Sequence, residues 1–316
     1  MTKVEQPVWF KKAISNEPKK LSIKVKGVKI TYNAWGEKGN PGILFVHGGM
    51  AHADWWNFIA PYFIKTHRVI AMNLGGMGDS EWRKEYSTET WGTEIESVCK
   101  KEKLKKPIVV GHSLGGMCGV YAASIMKKNL YGLIIVDTAI MPPSDNPPKF
   151  DFKIRANKIY KSLKEIKSRF RLVPGQVNAL EYIMDYIAEK SIKKNKNGWS
   201  WKFDPNYMKI FNNDSFMERQ AIYRDKLKGL KCRVAILRGE KSVIFPGSSA
   251  KYMHELMDKK SPIINVPEAH HHIMVDQPMA LISALRSLII DWDCLLYTSD
   301  AADDSLRVDL GGRRII

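Results

Sequence analysis

The sequence predicts an α/β protein with a mostly parallel central sheet, helices on both faces and a helical cap inserted between two strands. Three observations predict it. Short apolar runs alternate with segments of helical period up to about residue 139, and again over 231–292. The alternation stops between them, where residues 140–230 turn to basic amphipathic segments. Several apolar runs close on glycine or small polar residues, as buried parallel strands do.

Taken in order, LSIKVKGVKITYNAW (21–35) alternates apolar and polar about a glycine and predicts a hairpin. GILFVHGG (42–49) is a buried strand, DWWNFIAPYFIKT (54–66) carries a helical stripe, and HRVIAMNL (67–74) is the next strand. TETWGTEIESVCKKEKL (88–104) is helical, with Thr88 or Thr90 as its cap. KPIVVGHS (106–113) is a strand, LGGMCGVYAASIMKK (114–128) a helix and YGLIIVDT (131–138) a strand. MPPSDNPP (141–148) is turn chemistry and opens the insertion. Within it Ile159, Leu163, Ile166 and Phe170 share one helical face, as do Leu180, Ile183, Met184 and Ile187. CRVAILRGE (232–240), GSSAKYMHELMDKK (247–260), SPIINVPEA (261–269) and DQPMALISALRSLIIDW (276–292) then resume the order strand, helix, strand, helix.

The 316 residues are 44% hydrophobic and 26% charged, the composition of a soluble globular protein. No apolar run approaches the ~20 residues that cross a bilayer, and MTKVEQPVWFKK shows no signal-peptide pattern, so a cytoplasmic protein without a membrane partner is expected. Cys99, Cys118, Cys232 and Cys294 show neither metal-ligand spacing nor a disulfide framework. The net charge of +17 comes mostly from lysines spread along the chain. The densest patches, KKEKLKK (100–106) and KSIKKNKN (190–197), look like a loop and a helix end. With no nucleic-acid motif beside it, this charge reads as a lysine-rich surface rather than a nucleic-acid interface. The pattern leaves the oligomeric state open.

Residues 294–316, CLLYTSDAADDSLRVDLGGRRII, change character abruptly and show no periodicity that continues the preceding helix. They resemble the translation of a transposase-type sequencing adapter read in frame, with CLLYTSDAAD and VDLGGRRII as its constant parts. The expected organisation is a core of 1–139 and 231–292, a cap of 140–230 and a non-native tail of 293–316, the native sequence ending near Trp292 or Asp293.

VVGHSLGGM (109–117) holds the first chemical signal. Gly111-His112-Ser113-Leu114-Gly115 fits G-x-S-x-G, a match that composition alone produces in about one chain in ten of this length. Context strengthens it: a strand precedes and a small-residue helix follows, the setting of a tight turn that lifts a serine Oγ above the sheet. A serine needs a base, and the base an orienter. VPEAHHHIMVDQP (266–278) offers histidines in a loop between the last strand and the last helix. Three consecutive side chains point different ways and do not readily chelate one ion, so no metal is expected.

These stretches together resemble the α/β-hydrolase fold family over almost the whole chain to about residue 292. In that family the catalytic histidine often stands seven residues before the proline of an acidic-Gln-Pro element. Counting back from Pro278 gives His271, with His270 and His272 as weaker candidates. FVHGGM (45–50) resembles the family's His-Gly-x element, which implies the Gly49 N–H and the Leu114 N–H as oxyanion donors, with Met50 as the neighbouring alternative. MNLGGMGDS (72–80) resembles a structural glycine turn, with Asn73 and Met77 in place of its usual acid and histidine. Trp55 and Trp56 are candidates for either the pocket or the core.

The acid departs from the common pattern. Its usual place, three or four residues after the glycine of RGEKSV, holds Ser242 and Val243. Asp137, at the end of LIIVD, has a context that resembles haloalkane dehalogenases and is preferred over Glu240. Unlike dehalogenases and epoxide hydrolases, the chain carries serine rather than aspartate at the nucleophile position. The resemblance thus implies a serine hydrolase acting on small or medium carboxylic esters through an acyl-serine, without a cofactor. RFRLVP (169–174) and GWSWKFDP (198–205) are reminiscent of caps in bacterial members of unassigned substrate. The alternatives are a C–C bond hydrolase, lactonase or perhydrolase on the same residues, a non-catalytic ligand-binding protein on this fold, or a scaffold with a decayed site.

Overall fold

Eight strands form one sheet in the order β1-β2-β4-β3-β5-β6-β9-β10. The computed structural model describes residues 5–143, 158–211, 216–259 and 261–309; for Phe216 and residues 294–309 it describes the backbone alone. The helix α1 (Val8–Ile14) precedes an antiparallel hairpin of β1 (Lys19–Val25) and β2 (Val28–Trp35). β3 (Pro41–Val46), β4 (Arg68–Met72), β5 (Lys105–His112) and β6 (Gly132–Val136) follow, with α2 (Thr88–Lys101) and α3 (Leu114–Met126) between the later strands. The segment after β6 contains α4 (Leu163–Lys167), α5 (Glu181–Lys190), a hairpin of β7 (Ile192–Asn195) and β8 (Gly198–Trp201), and α6 (Phe216–Lys228). β9 (Arg233–Gly239), α7 (Gly247–Leu256), β10 (Ile263–Val266), α8 (Ile273–Asp276) and α9 (Pro278–Asp309) complete the described chain. Within this sheet, the neighbours β4-β3-β5-β6-β9-β10 all pair parallel. The predicted mostly parallel sheet is therefore observed.

The parallel strands read as unbroken apolar runs because both their faces are covered. One layer gathers Phe45, Trp56, Val110 and Ile134 with Leu285 of α9. The other gathers Leu44, Val109 and Ile135 with Trp91 of α2 and Cys118 of α3. Alternate residues of the same strand thus enter opposite cores, as a period of two requires.

Several local expectations are corrected. Residues 54–66 form no α-helix; two 3-10 turns occupy Ala53–Trp56 and Ala60–Tyr62. Pro61 removes a backbone donor there, and Trp55, Trp56, Phe58, Ile59 and Phe63 are all buried rather than confined to one stripe. The cap of α2 is Ser87, whose side chain accepts from the Thr90 N–H, not Thr88 or Thr90. Ile159 and Phe170 do not share a helix with Leu163 and Ile166: α4 is five residues long, and Tyr160 pairs its backbone with Trp199. Strand pairing there overrides helical period. The α5 face is as expected, with Ile183 and Ile187 fully buried. The basic stretch 190–197 does begin at the expected helix end, since α5 stops at Lys190, but Ile192–Asn195 continue as a hairpin strand. The α9 backbone stays helical to Asp309, so secondary structure does not break at residue 294. Ala, Leu and Arg in that stretch are helix formers, so a helix continues there without an apolar stripe. Of MPPSDNPP, residues 144–148 lie outside the described residues.

Candidate active site

The site lies at the carboxyl ends of β3, β5, β6 and β9, where an open parallel sheet presents its loops. Ser113 sits between β5 and α3 with φ +54° and ψ −120°, a strained conformation for a residue with a side chain. The flanking glycines make the turn possible. A Cβ on Gly111 would lie 2.3 Å from the Gly115 carbonyl oxygen, and one on Gly115 2.5 Å from that of Val46. The Ser113 N–H donates to the Val136 carbonyl, and Thr138 Oγ1 donates to the Ser113 carbonyl, locking the turn to β6.

His271 comes from the loop after β10. Its Nε2 lies 3.0 Å from Ser113 Oγ and its Nδ1 2.8 Å from Asp137 Oδ1. A carboxylate only accepts, so Nδ1 carries the proton and Nε2 offers its lone pair to the serine. Asp137 is fully buried, and every hydrogen bond described for its carboxylate is accepted: from His271 and Ser242 Oγ (2.5 Å) on Oδ1, and from the Gly239 N–H (2.7 Å) on Oδ2. Glu240 is exposed and instead accepts from the Glu268 N–H at 3.0 Å. Ser113, His271 and Asp137 are thus brought together and Glu240 is not.

Neighbouring histidines hold this arrangement. His112 Nε2 lies 2.9 Å from the His271 carbonyl, so the residue before the serine is tied to the backbone of His271. Burial, and then the nearby His271, push His112 well below the ordinary imidazole range, which keeps it neutral. His270 is drawn away: its N–H and Nδ1 both meet Asp276 Oδ2, the acid of the DQP element. His272 packs 4.8 Å from the His271 ring and 5.5 Å from that of Trp55. His112, His271 and His272 place ring nitrogens within 4.8 Å of one another, a distance compatible with metal binding. However, both nitrogens of His271 and one of His112 are already engaged in hydrogen bonds.

The β3 loop faces the serine. His47 Nε2 accepts from the Leu74 N–H, its Nδ1 meets the Gly48 carbonyl, and burial lowers its pKa to about 3. A neutral imidazole thereby fixes the loop carrying Gly49 and Met50. Gly49, Met50, Ser113, Leu114, Asp137 and His271 line one cavity of about 130 Å³. The remaining wall is mainly apolar, and Val173, Tyr207 and Phe211 reach it from the segment after β6. Trp55 lines the cavity, whereas Trp56 is core and stacks on Phe45 at 4.8 Å. Asn73 is structural: its Oδ1 accepts from the Ala53 N–H and its Nδ2 donates to Thr31 Oγ1. Met77 is buried and bridges to Phe203.

The sequence did not mark Ser242 or His112 as hydrogen-bond partners of this site, nor Tyr207 as part of its wall. Ser242 alone carried a signal, since it stands where relatives place the acid.

The family described as alpha/beta hydrolase fold matches residues 41–276, and the chain belongs to it. The chain is 20% identical over 280 residues to an esterase of Mycobacterium tuberculosis, covering 84% of this chain and 88% of that one. It is 28% identical over 120 residues to human epoxide hydrolase 4, covering 37% of this chain and only 33% of that protein. Among solved structures, E-2-(acetamidomethylene)succinate hydrolase superposes with a TM-score of 0.74 at 17% identity, over 86% of this chain and 99% of the other. The family match and these relatives support a hydrolase.

Proposed function

We propose that the protein is a serine hydrolase that cleaves carboxylic esters of small or medium size through an acyl-serine. The observation that carries this reading is the continuous relay from Ser113 Oγ through His271 to Asp137, at 3.0 and 2.8 Å. His271 Nε2 takes the proton of Ser113 Oγ as the oxygen attacks the ester carbonyl. Asp137 holds the imidazole in one tautomer and stabilises its cation. The Gly49 and Leu114 N–H groups hold the oxyanion. The tetrahedral adduct collapses, the alcohol leaves with the proton from His271, and the acyl group stays on Ser113. Water then repeats the sequence with His271 as base, releasing the acid.

Residues 140–230 act as the cap over the core of 1–139 and 231–292. Support comes from Val173, Tyr207 and Phe211, which reach the cavity wall, and from the Ser191 hydroxyl, 2.9 Å from His52 Nε2 of the core. The largely apolar wall favours the acyl or alkoxy part of an ester over a strongly charged group.

The test is steady-state hydrolysis of p-nitrophenyl acetate and butyrate. Wild type turns over and Ser113→Ala does not. Equal rates for the two proteins contradict the acyl-serine route.

A further inference from the structure

Tyr207 has no role in the relay just described, yet its hydroxyl lies beside the oxyanion loop. It belongs to a 3-10 segment, Pro205–Phe211, that arrives from the cap side of the cavity. The side chain is 1% exposed and still lines the same cavity as Ser113. Its Oη lies against Gly49: a Cβ on that glycine would be 2.8 Å from the hydroxyl oxygen. The glycine therefore makes room for the tyrosine. The Met50 backbone amide lies beside the same oxygen. No acceptor for the O–H proton is found among the described residues. Burial raises the phenol above its ordinary range, so the proton stays on at neutral pH.

The hydroxyl is held in place. Just before Tyr207, Asp204 accepts from Tyr86 Oη at 2.7 Å and from the Asn206 N–H at 3.0 Å, and its own N–H donates to the Gly76 carbonyl at 2.8 Å. Phe203 bridges to Met77. The glycine turn of 75–78, structural by its sequence, thus anchors the segment that carries Tyr207. The ring packs between Trp91 and Phe211, at 6.4 and 6.3 Å. A donor fixed this firmly costs little reorganisation when charge develops nearby.

We propose that Tyr207 is a catalytic residue whose O–H donates a third hydrogen bond to the tetrahedral oxyanion, beside the N–H groups of Gly49 and Leu114. The proposal rests on the serine-esterase reading. It makes the cap part of the chemistry: the core supplies nucleophile, base and two donors, and the cap supplies the third donor. The Met50 backbone amide acts through Tyr207 by orienting its oxygen, instead of serving as an alternative donor itself.

The experiment compares wild type, Tyr207→Phe and Ser113→Ala on p-nitrophenyl butyrate. It adds inhibition by an alkyl trifluoromethyl ketone, which forms a tetrahedral oxyanion on a serine. Tyr207→Phe keeps the ring and its packing. Its kcat/KM is expected to fall roughly 10²-fold, the usual effect of losing one such donor, with KM within about threefold of wild type because the bond forms only in the transition state. Its affinity for the ketone weakens by the same factor as kcat/KM. Tyr86→Phe, which unpins Asp204, lowers kcat in the same direction by a smaller factor. If Tyr207→Phe matches wild type in turnover and ketone affinity while Ser113→Ala is dead, the esterase reading stands and the role of Tyr207 is refuted. A thermal midpoint for Tyr207→Phe far below wild type, with kcat restored on cooling, also refutes it. If Ser113→Ala keeps wild-type turnover, or wild type neither turns over the ester nor binds the ketone, both readings fall together.

Discussion

At the scale of the residue, Asp137 decides how the relay is built. It is buried at the end of β6 and meets three donors, while Glu240 faces solvent. Asp137→Asn is expected to lower kcat on p-nitrophenyl butyrate by about 10⁴-fold through the wrong imidazole tautomer. Glu240→Gln is expected to leave it unchanged. A crippled Glu240→Gln beside an active Asp137→Asn would reverse the assignment. Buried imidazoles make a second prediction. Burial holds His47 at about 3 and His52 at about 4, and His112 and His272 lie well below 6.5. Once unfolded, each takes up a proton near pH 6.5, so unfolding binds protons below that value. This contribution to stability is fully present above pH 6.5 and is lost progressively as the pH falls toward 4. Glu94 and Asp276, raised by burial, oppose the loss closer to the carboxylate range. The denaturant midpoint should therefore be lower at pH 5.5 than at 7.5; equal midpoints would contradict it. Ser113, His271 and Asp137 were legible because motif spacing and strand ends mark them. Ser242, His112 and Tyr207 were not, because each matters through a partner distant in sequence: Asp137, the His271 carbonyl and the Gly49 loop. No local pattern records such meetings.

At the scale of the element, the turn from β5 to α3 combines strain with close approach. Ser113 holds φ +54° against its own side chain. Ser113→Gly should be more stable than Ser113→Ala by about 1 kcal/mol, because glycine adopts this backbone without the steric penalty. Gly115→Ala should destabilise by about 3 kcal/mol, since the new methyl meets the rigid Val46 backbone. Denaturant unfolding of the three variants checks both. A Ser113→Gly protein no more stable than Ser113→Ala would show that the turn stores no strain. The parallel strands were readable as apolar runs bounded by glycines, and β3, β4, β5, β6 and β9 fall close to where they were expected. Irregular elements were less readable. The stripe in 54–66 reads as helical because its large apolar side chains fall at helical spacing, yet residues 54–60 are all buried and Pro61 interrupts the backbone ladder. The hairpin of β7 and β8 was hidden in a lysine-rich stretch that reads as solvated surface.

At the scale of the whole molecule, the site depends on loops from one sheet edge meeting the segment between β6 and β9. Gln176 from that segment accepts from the His272 N–H at 3.0 Å, so the loop carrying His271 is tied to it. The cavity they enclose is about 130 Å³. Short acyl chains should therefore be preferred, with kcat/KM higher for p-nitrophenyl butyrate than for the octanoate; the reverse order would mean that the segment moves aside for longer chains. At the start of β6, away from the site at the carboxyl ends, α9 packs against the sheet. A Cβ on Gly132 would collide with the Trp292 ring, and Tyr131 Oη donates to the Trp292 carbonyl. Trp292→Ala should cost about 3–5 kcal/mol of stability, the usual cost for a buried indole, read from the denaturant midpoint; a loss below 1 kcal/mol would show that this contact closes nothing. The sheet and its insertion were readable from the alternation and its interruption. How the insertion folds was not, because its structure follows from contacts with Gly76, Met77 and His272 more than from its own periodicity.

The proposed nucleophile is Ser113, activated through His271 by Asp137. Its most direct test is the site and rate of covalent labelling by a fluorophosphonate, mapped by peptide mass spectrometry. A single adduct on Ser113 is expected in wild type, with a rate lowered by orders of magnitude in Asp137→Asn. An unlabelled Ser113, or an adduct elsewhere in a protein that still hydrolyses esters, would contradict it.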